Sequence, residues 1–255
     1  MKMLRTLAVV AALALAGVAG LSALDFDYGW FVENASTPSV ALDAKHPVWA
    51  MDQKDRVGLW AEMHFNPQLS LTAQGSYAFE LTLPYLFDVD ILRLDWKILP
   101  SLQASLGRFI FADFSGHVLN HKLDGAQLSL SFPFMVLSAG AGFSGLDLKP
   151  YSLILMSGSD VNDQSDDSVV LAAPRLIEKL EVLFPNILPR QDLTVAVLAQ
   201  QDFRSSGSLI PVDEPYQFVT PGGQVLPPGG RLTSEYVGLG LSGGIVSSLY
   251  YDAFF

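Results

Sequence analysis

The chain of 255 residues contains no cysteine. This absence excludes disulfide bonds, thiolate metal sites and attachment of lipid through a cysteine. Charged residues are also scarce: they make up 16% of the chain, whereas half of the residues are hydrophobic. Soluble domains usually carry about 25% charged residues. The composition is therefore apolar for a protein that lies wholly in water.

Long apolar runs are missing after the first 23 residues. A helix that crosses a membrane needs about 20 consecutive apolar residues, so we expect no transmembrane helix in the exported chain. An outer-membrane β-barrel reconciles the apolar composition with this absence. Because such a barrel shows one residue in two to lipid, it is apolar overall without any long apolar run.

The first 23 residues have the pattern of a secretory signal peptide. Lys2 and Arg5 precede an apolar stretch over residues 6–20, and small residues follow up to Ala23. This order of basic, apolar and small residues predicts export, with cleavage after Ala23. A membrane anchor helix is disfavoured, because the apolar run is short and no basic flank follows it. The mature protein would then be residues 24–255, forming one barrel domain in the outer membrane.

Basic residues are outnumbered in the exported part. Removing Lys2 and Arg5 from the 15 basic residues leaves 13, against 26 acidic residues. Nucleic-acid binding needs a basic surface, so we expect no nucleic-acid partner. The expected partners are membrane lipid and the barrel-assembly machinery.

Apolar and polar residues alternate along most of the chain, which predicts antiparallel strands. Counting such stretches gives eleven strands, or twelve if residues 151–156 form one. Short turns alternate with longer loops at residues 33–56, 112–122, 145–174 and 203–232, as expected of an outer-membrane barrel. We therefore predict an all-β fold, an antiparallel transmembrane β-barrel of about 10–12 strands. Since bacterial barrels normally have an even number of strands, eleven would leave the barrel incomplete.

The alternation slips near Ile91 and again at Gly107, and each slip predicts a β-bulge. A bulge at Gly107 would turn Arg108 to the polar side of the sheet. A basic residue at the bilayer midplane costs about 2–4 kcal/mol when it faces lipid. We therefore expect the charged residues here to line a lumen, where they either pair and plug it or form a polar pathway. The candidate lumen-lining residues are Arg93, Asp95, Lys97, Arg108, Asp113 and Asp124.

Three other patterns carry weaker signals. His117 and His121 have the spacing of a helical metal clamp, but they lie in a predicted loop and lack the glutamate of zinc proteases. An acidic tract over residues 160–167 fails the calcium-loop template, so a solvated acidic loop is favoured. Ser242 stands in a G-x-S-x-G match with no histidine downstream. We expect no metal, no cofactor and no enzymatic activity.

The segment GRFIFADFSGHVLNHKLDGAQLSL, residues 107–130, resembles a segment of mostly uncharacterised outer-membrane β-barrel proteins of spirochaetes. It is more loosely similar to a hairpin of porins of the alginate-export kind. The residues that carry the resemblance are Gly107, Arg108, Asp113, Gly116, Asp124, Gly125 and Ala126. The resemblance covers about 30 residues and implies a membrane barrel of porin-like type without indicating a substrate.

The hypothesis is a porin-like channel for small solutes or ions. The alternative is a non-conducting surface barrel, an adhesin or structural protein, that acts through the loops at 33–56, 145–174 and 203–232. A third interpretation is a secreted soluble β-protein, which would show no heat-modifiable mobility on a detergent gel.

Overall fold

The computed structural model describes residues 25–42, 47–80, 86–152, 154, 157–165, 170–205, 209, 218–219, 225–226, 230–246 and 249–255. The predicted signal peptide lies outside the described residues, so its prediction stays open. The strands are β1 (Asp25–Leu42), β2 (Pro47–Asn66), β3 (Leu69–Glu80), β4 (Leu86–Leu99), β5 (Leu102–Ala112), β6 (Asn120–Phe132), β7 (Met135–Phe143), β8 (Arg175–Leu188), β9 (Gln191–Asp202), β10 (Phe218–Val219), β11 (Val225–Leu226), β12 (Ser234–Val246) and β13 (Leu249–Phe254).

Helical structure is minor in the described part of the chain. It consists of a 3₁₀ turn, Lys149–Tyr151, and one α-helix, α1 (Gly158–Ser165). None of the described helices is long and apolar enough to cross a membrane.

Eleven of the strands form one antiparallel sheet, in the order β1 to β9, then β12 and β13, while β10 pairs with β11 separately. The all-β antiparallel prediction is confirmed, and the eleven strands of the sheet match the eleven predicted stretches. The optional twelfth stretch, 151–156, forms no strand in its described residues.

The chain divides into two compact units, one ending at Val89 and the other beginning at Asp90. In the first unit, β1 to β3 form a meander whose alternating residues fall on two distinct faces. Trp30 lies opposite Leu59, and Leu59 lies opposite Gly75. Directly opposed residues share a face of the sheet, so the predicted apolar sides of the three strands combine into one face. Its exposed apolar side chains are Phe26, Tyr28, Trp30, Val32, Val57, Leu59 and Tyr77.

The opposite face of the first unit is polar. The guanidinium of Arg56 is 3.2 Å from the carboxylate of Glu33 and donates a hydrogen bond of 2.9 Å to Ser76. It also lies 5.3 Å from the centre of the Phe31 ring. The ring of Phe31 covers Gly58, because a Cβ atom added there would lie 2.2 Å from it. Charge pairing and aromatic packing thus occupy the same face.

The predicted loop at 33–56 is wrong, because most of it is strand. The pairing of β1 with β2 continues without a break from Asp25 opposite His64 to Leu42 opposite Pro47. The alternation of apolar and polar residues fades in this part of the sequence. The hydrogen bonds between the strands join backbone groups and do not depend on the polarity of the side chains. The hairpin therefore extends beyond the patterned residues.

The second unit repeats the two-faced design. One row of directly opposed residues, which we call the apolar row, crosses seven strands from β4 to β12. Its members are Trp96, Ala104, Leu128, Ala139, Leu180, Val197 and Val237. The five large side chains of the row are between 42% and 75% exposed. Seven neighbouring strands therefore present one apolar surface.

The face opposite the apolar row is here called the polar face. One row across it contains Asp95, Ser105, Gln127, Gly140 and Lys179. Towards the long loops the same face becomes an apolar core, in which Phe109 and Phe111 stack at 4.5 Å. The core consists of Phe109, Phe111, Leu119, Leu123, Ile177 and Leu198, with Ile154 packed against it. The polar face is thus open near the short turns and filled near the loops.

The predicted slip near Ile91 is supported by exposure along β4. Phe87 and Val89, at odd positions, are exposed before the slip. Leu92 and Trp96, at even positions, are exposed after it. The exposed apolar set therefore changes phase between residues 89 and 92, as a bulge would require.

Candidate functional site

Arg93 and Asp95 form the first charge pair on the polar face. Two residues apart on β4, they share a face, and Nε of Arg93 lies 2.7 Å from Oδ2 of Asp95. Ser105, directly opposite Asp95 on β5, donates a hydrogen bond of 2.6 Å to Oδ1. Both charged side chains stay about one third exposed. Lys97 follows on the same face and is exposed.

Arg108 and Asp124 form the second charge pair. They are opposed on β5 and β6. Nε and Nη2 of Arg108 donate to the two carboxylate oxygens of Asp124 at 2.9 and 2.7 Å. Nη2 also donates to the carbonyl of Leu146 at 2.8 Å. The two bonds to Asp124 fix both side chains. The bond to Leu146 ties the β5–β6 hairpin to the segment that follows β7.

The predicted bulge at Gly107 is wrong. The register runs unbroken through it, with Arg93 opposite Gly107 and Leu92 opposite Arg108. Opposed residues share a face, so Arg108 belongs to the row of Leu92 rather than to that of Arg93. The structure therefore does not bring Arg108 together with Arg93 and Asp95. Arg108 interrupts the alternation of apolar and polar residues along β5 without a bulge. Its charge is neutralised by Asp124, which lies directly opposite on β6.

Gly107 nevertheless has a special backbone, with φ of +114°. A Cβ atom there would lie 2.0 Å from the carbonyl oxygen of Leu92. Gly107→Ala should therefore lower the free energy of unfolding by about 1–3 kcal/mol, the usual range for such backbone strain. Urea unfolding of the folded protein, followed by tryptophan fluorescence, measures the change.

The matched control is Gly75→Ala, where the added Cβ would find its nearest atom at an ordinary 3.4 Å. We expect it to change stability by no more than about 0.5 kcal/mol. Equal effects of the two substitutions would contradict a special role for Gly107.

Asp113 organises the loop between β5 and β6. It is 6% exposed. Oδ2 accepts from the backbone nitrogen of Ser115 at 2.9 Å, and Oδ1 accepts from Leu119 at 2.8 Å. Burial alone would raise the pKa of this carboxyl, but the hydrogen bonds from Ser115, Leu119 and Val118 outweigh burial and lower it below 3.8. Asp113 is thus a structural acceptor for the loop.

Asp113→Asn should destabilise the folded protein by about 1–3 kcal/mol at pH 7, since buried backbone donors lose an acceptor. Because the folded-state pKa of Asp113 is lowered, its contribution is full above the unfolded pKa and is lost as pH falls through the folded value. The difference between wild type and variant should therefore shrink below about pH 4. Urea unfolding at pH 7 and at pH 3 measures it; a constant difference would contradict the assigned role.

The sequence did not predict a group of four buried charges. Arg175, Asp160, Asp202 and Arg204 are all at most 6% exposed and form what we call the ionic cluster. Nη2 of Arg204 lies 2.7 Å from Asp160 and 2.5 Å from Asp202. Arg175 pairs with Asp160 through Nη2 and lies 3.9 Å from Asp202. Each of the four charges therefore faces at least one opposite charge.

The ionic cluster fastens the segment after β7 to the sheet. Asp160 lies in the first turn of α1, while Arg175 begins β8 and Asp202 ends β9. Nη1 of Arg175 also donates to the carbonyl of Ile154 at 2.9 Å. Burial would lower the pKa of Arg204, but the hydrogen bond to Asp202 and the charge of Asp160 raise it. The two carboxylate partners thus favour the charged form of Arg204.

A second buried contact fastens the same segment to β6. Nζ of Lys122 lies 2.9 Å from Asp147 and 5.1 Å from the centre of the Tyr151 ring. The predicted solvated loop at 160–167 is therefore wrong for Asp160, which is 3% exposed. Residues 166 and 167 lie outside the described part. Isolated charges at the ends of apolar strands, such as Arg175, were the signal that could have indicated this arrangement.

The weaker sequence candidates are separated by the fold. His117 lies in the β5–β6 loop with its ring 4.7 Å from that of Phe254, whereas His121 lies in β6 opposite Phe111. A helical clamp is therefore not formed by this pair. Ser242 lies in β12 opposite Asp192, and not at a strand-to-helix elbow. No cluster of three or more metal-ligating side chains occurs among the described residues.

No protein-family model and no curated protein matches the chain. Among solved structures, it is similar to a loop L8 deletion mutant of OmpT, an outer membrane protein of Vibrio cholerae. The identity is 11%, the match covers 91% of this chain and 80% of that one, and the TM-score is 0.39. Two structures of in-vitro folded OmpT, one of them the trimer form, match at 12% and 13% identity. They cover 91% of this chain and 87% and 85% of theirs, with TM-scores of 0.26 and 0.28.

The prediction that the chain is not an enzyme is corrected on the same finding. An identity of 11–13% to OmpT chains does not separate catalytic from non-catalytic outer-membrane proteins. One fold hosts unrelated functions, so the all-β fold of this chain gives no support to the prediction that it lacks catalytic activity.

Proposed function

We propose that this chain is an integral outer-membrane β-barrel protein. The observation that carries the proposal is the apolar row, whose large side chains are exposed on neighbouring strands. Soluble monomers rarely expose contiguous apolar patches larger than a few hundred Å². A sheet with one such face and one polar face is suited to lipid on one side and a polar interior on the other. Export through a signal peptide and insertion by the barrel-assembly machinery belong to the same proposal.

Passage of small ions or polar solutes is the activity we propose for the polar face. The pair Arg93–Asp95 remains partly exposed, and Ser105 and Gln127 lie beside it. The loop end of the same face is filled by the apolar core and by the ionic cluster. This filling supports a narrow path along the polar face and argues against the passage of large solutes.

A non-conducting surface barrel is the second candidate. The filled loop end of the polar face favours it, because buried ion pairs such as Arg175–Asp160 hold the segment after β7 in place. Such a protein would act through its external loops.

Planar-bilayer recording of folded, heat-modifiable protein tests the two candidates. Narrow passage predicts discrete conductance steps, and Asp95→Asn should then shift the selectivity between cations and anions. Asp124→Asn, on the other row, serves as the matched control with a smaller shift. Inserted protein that conducts nothing would overturn passage and favour the surface barrel.

A further inference from the structure

The loop between β5 and β6, residues 113–119, lies across the polar face of the second unit. Just before it, the carbonyl of Ala112 accepts a hydrogen bond of 2.6 Å from Nζ of Lys179, a member of the polar-face row on β8. The carboxylate of Glu181, two residues further along β8, faces the backbone nitrogen of Phe114. The chain therefore leaves β5 and passes over β8, which is three strands away in the sheet. We call these residues the crossing loop.

The ring of Phe114 carries the crossing loop as far as β12. A Cβ atom added to Gly240 would lie 2.3 Å from this ring, and one added to Gly238 would lie 2.9 Å from it. Gly238 lies opposite Ala196, which lies opposite Glu181 on β8. Directly opposed residues share a face, so both glycines belong to the polar face. Together they form a notch that holds the ring, because a larger residue at either position would displace it.

Burial of the polar face differs between the two sides of the crossing loop. Thr194 and Ala196 of β9, opposite the two glycines of the notch, are 8% and 2% exposed. Ser105 and Gln127, on β5 and β6, are only partly buried. The polar face is thus covered where the Phe114 ring lies and accessible nearer to β4.

Asp113 holds the crossing loop in one shape. Its carboxylate accepts hydrogen bonds from the backbone nitrogens of Ser115 and Leu119. Its own backbone nitrogen donates to the carbonyl of Leu119 at 2.9 Å. These bonds join the two ends of the loop, and Phe114 follows Asp113 directly. The position of the ring is therefore set by a closed turn.

We propose that Phe114 sets the width of the polar path, an inference that rests on the proposed passage of small ions or polar solutes. The ring on β12 and the loop backbone over β8 close one side of the polar face. The open side is the one that carries Arg93 and Asp95, whose side chains are about one third exposed. A solute passes between the crossing loop and this charge pair. Phe114 then limits the size of the solute, while Arg93 and Asp95 act on its charge.

Single-channel recording in planar bilayers tests this role. Phe114→Ala should raise the conductance of folded, heat-modifiable protein by about twofold or more, since the current through a narrow path grows with its cross-section. Phe114→Leu, which keeps a smaller apolar side chain, should give an intermediate rise. The matched control is Phe132→Ala on β6. Phe132 is exposed and lies on the apolar face, four residues from Leu128, so its replacement should leave the conductance unchanged.

Urea unfolding tests the contact between the ring and the notch, whether or not the protein conducts. Gly240→Ala places a methyl group against the ring and should lower the midpoint of unfolding of the wild type. In the Phe114→Ala background the same substitution should leave the midpoint unchanged, because the ring that it meets is gone. Equal effects of Gly240→Ala in the two backgrounds would remove the basis of the inference.

The recordings separate failure of this inference from failure of the proposed passage. Wild-type channels whose conductance is unchanged by Phe114→Ala would refute the inference and leave the passage standing. If neither wild type nor Phe114→Ala conducts, both are refuted. Silent wild-type protein that conducts once Phe114 is replaced would refute passage through the natural chain and support Phe114 as the residue that closes the path.

Discussion

Replacing Arg175 with alanine should lower the free energy of unfolding by about 3–5 kcal/mol. The side chain is 0% exposed and faces both Asp160 and Asp202. Its removal takes one arginine from two buried carboxylates, which then share the guanidinium of Arg204. A buried charge that loses its partner keeps the full penalty of leaving water, which is the reason for the large effect. Urea unfolding from lipid vesicles at pH 7 measures it.

The matched control is Arg93→Ala, which also removes an arginine from an ion pair with an aspartate. The Arg93 side chain is 39% exposed, and exposed pairs contribute about 0–1 kcal/mol. A second variant, Arg175→Met with Asp160→Leu, removes both partners and should cost less than Arg175→Ala alone. Equal, small effects of Arg175→Ala and Arg93→Ala would contradict a stabilising role for the ionic cluster.

Leu128→Arg should lower the stability of the protein in a bilayer by about 2–4 kcal/mol and reduce its insertion into vesicles. Leu128 lies in the apolar row and is 50% exposed. In a soluble protein, replacing an exposed leucine with arginine would change the free energy of unfolding by no more than about 0.5 kcal/mol. The size of the loss therefore reports whether lipid covers this side chain. Unfolding from vesicles and the heat-modifiable fraction on detergent gels measure it.

The neighbouring substitution Gln127→Arg provides the control. Gln127 lies opposite Ser105 on the polar face, so the same charge on the same strand should be tolerated there. If both variants, or neither, lost stability and insertion, the assignment of the two faces would be contradicted.

The strands could be predicted because the period-two pattern is a direct consequence of a sheet with unlike faces. The stretch 69–81 alternates, and β3 forms there. The hairpin of β1 and β2 is longer than its side-chain pattern indicates, since residues 33–42 and 47–56 pair through their backbone. A period-two pattern of side chains reveals only those strands whose two faces differ in polarity.

The site was predicted less well, because ion pairs depend on partners distant in sequence. Arg108 suggested a bulge, since nothing local indicated that Asp124 would lie directly opposite and that Leu146 would supply a carbonyl. Asp160 resembled a solvated residue because its partners Arg175 and Arg204 are brought near only by the folded segment after β7. The lumen-lining role of the six predicted residues stays a prediction.

Nitroxide labels along β6 test most directly the central claim that the two faces meet lipid and a polar interior. The chain has no cysteine, so single cysteines at Ala126, Gln127, Leu128, Ser129 and Leu130 give one label each. In vesicles, collisions with oxygen should exceed collisions with a water-soluble nickel complex at residues 126, 128 and 130. That preference should be absent or reversed at residues 127 and 129. Equal access of the nickel complex to Leu128 and Gln127 would contradict the claim.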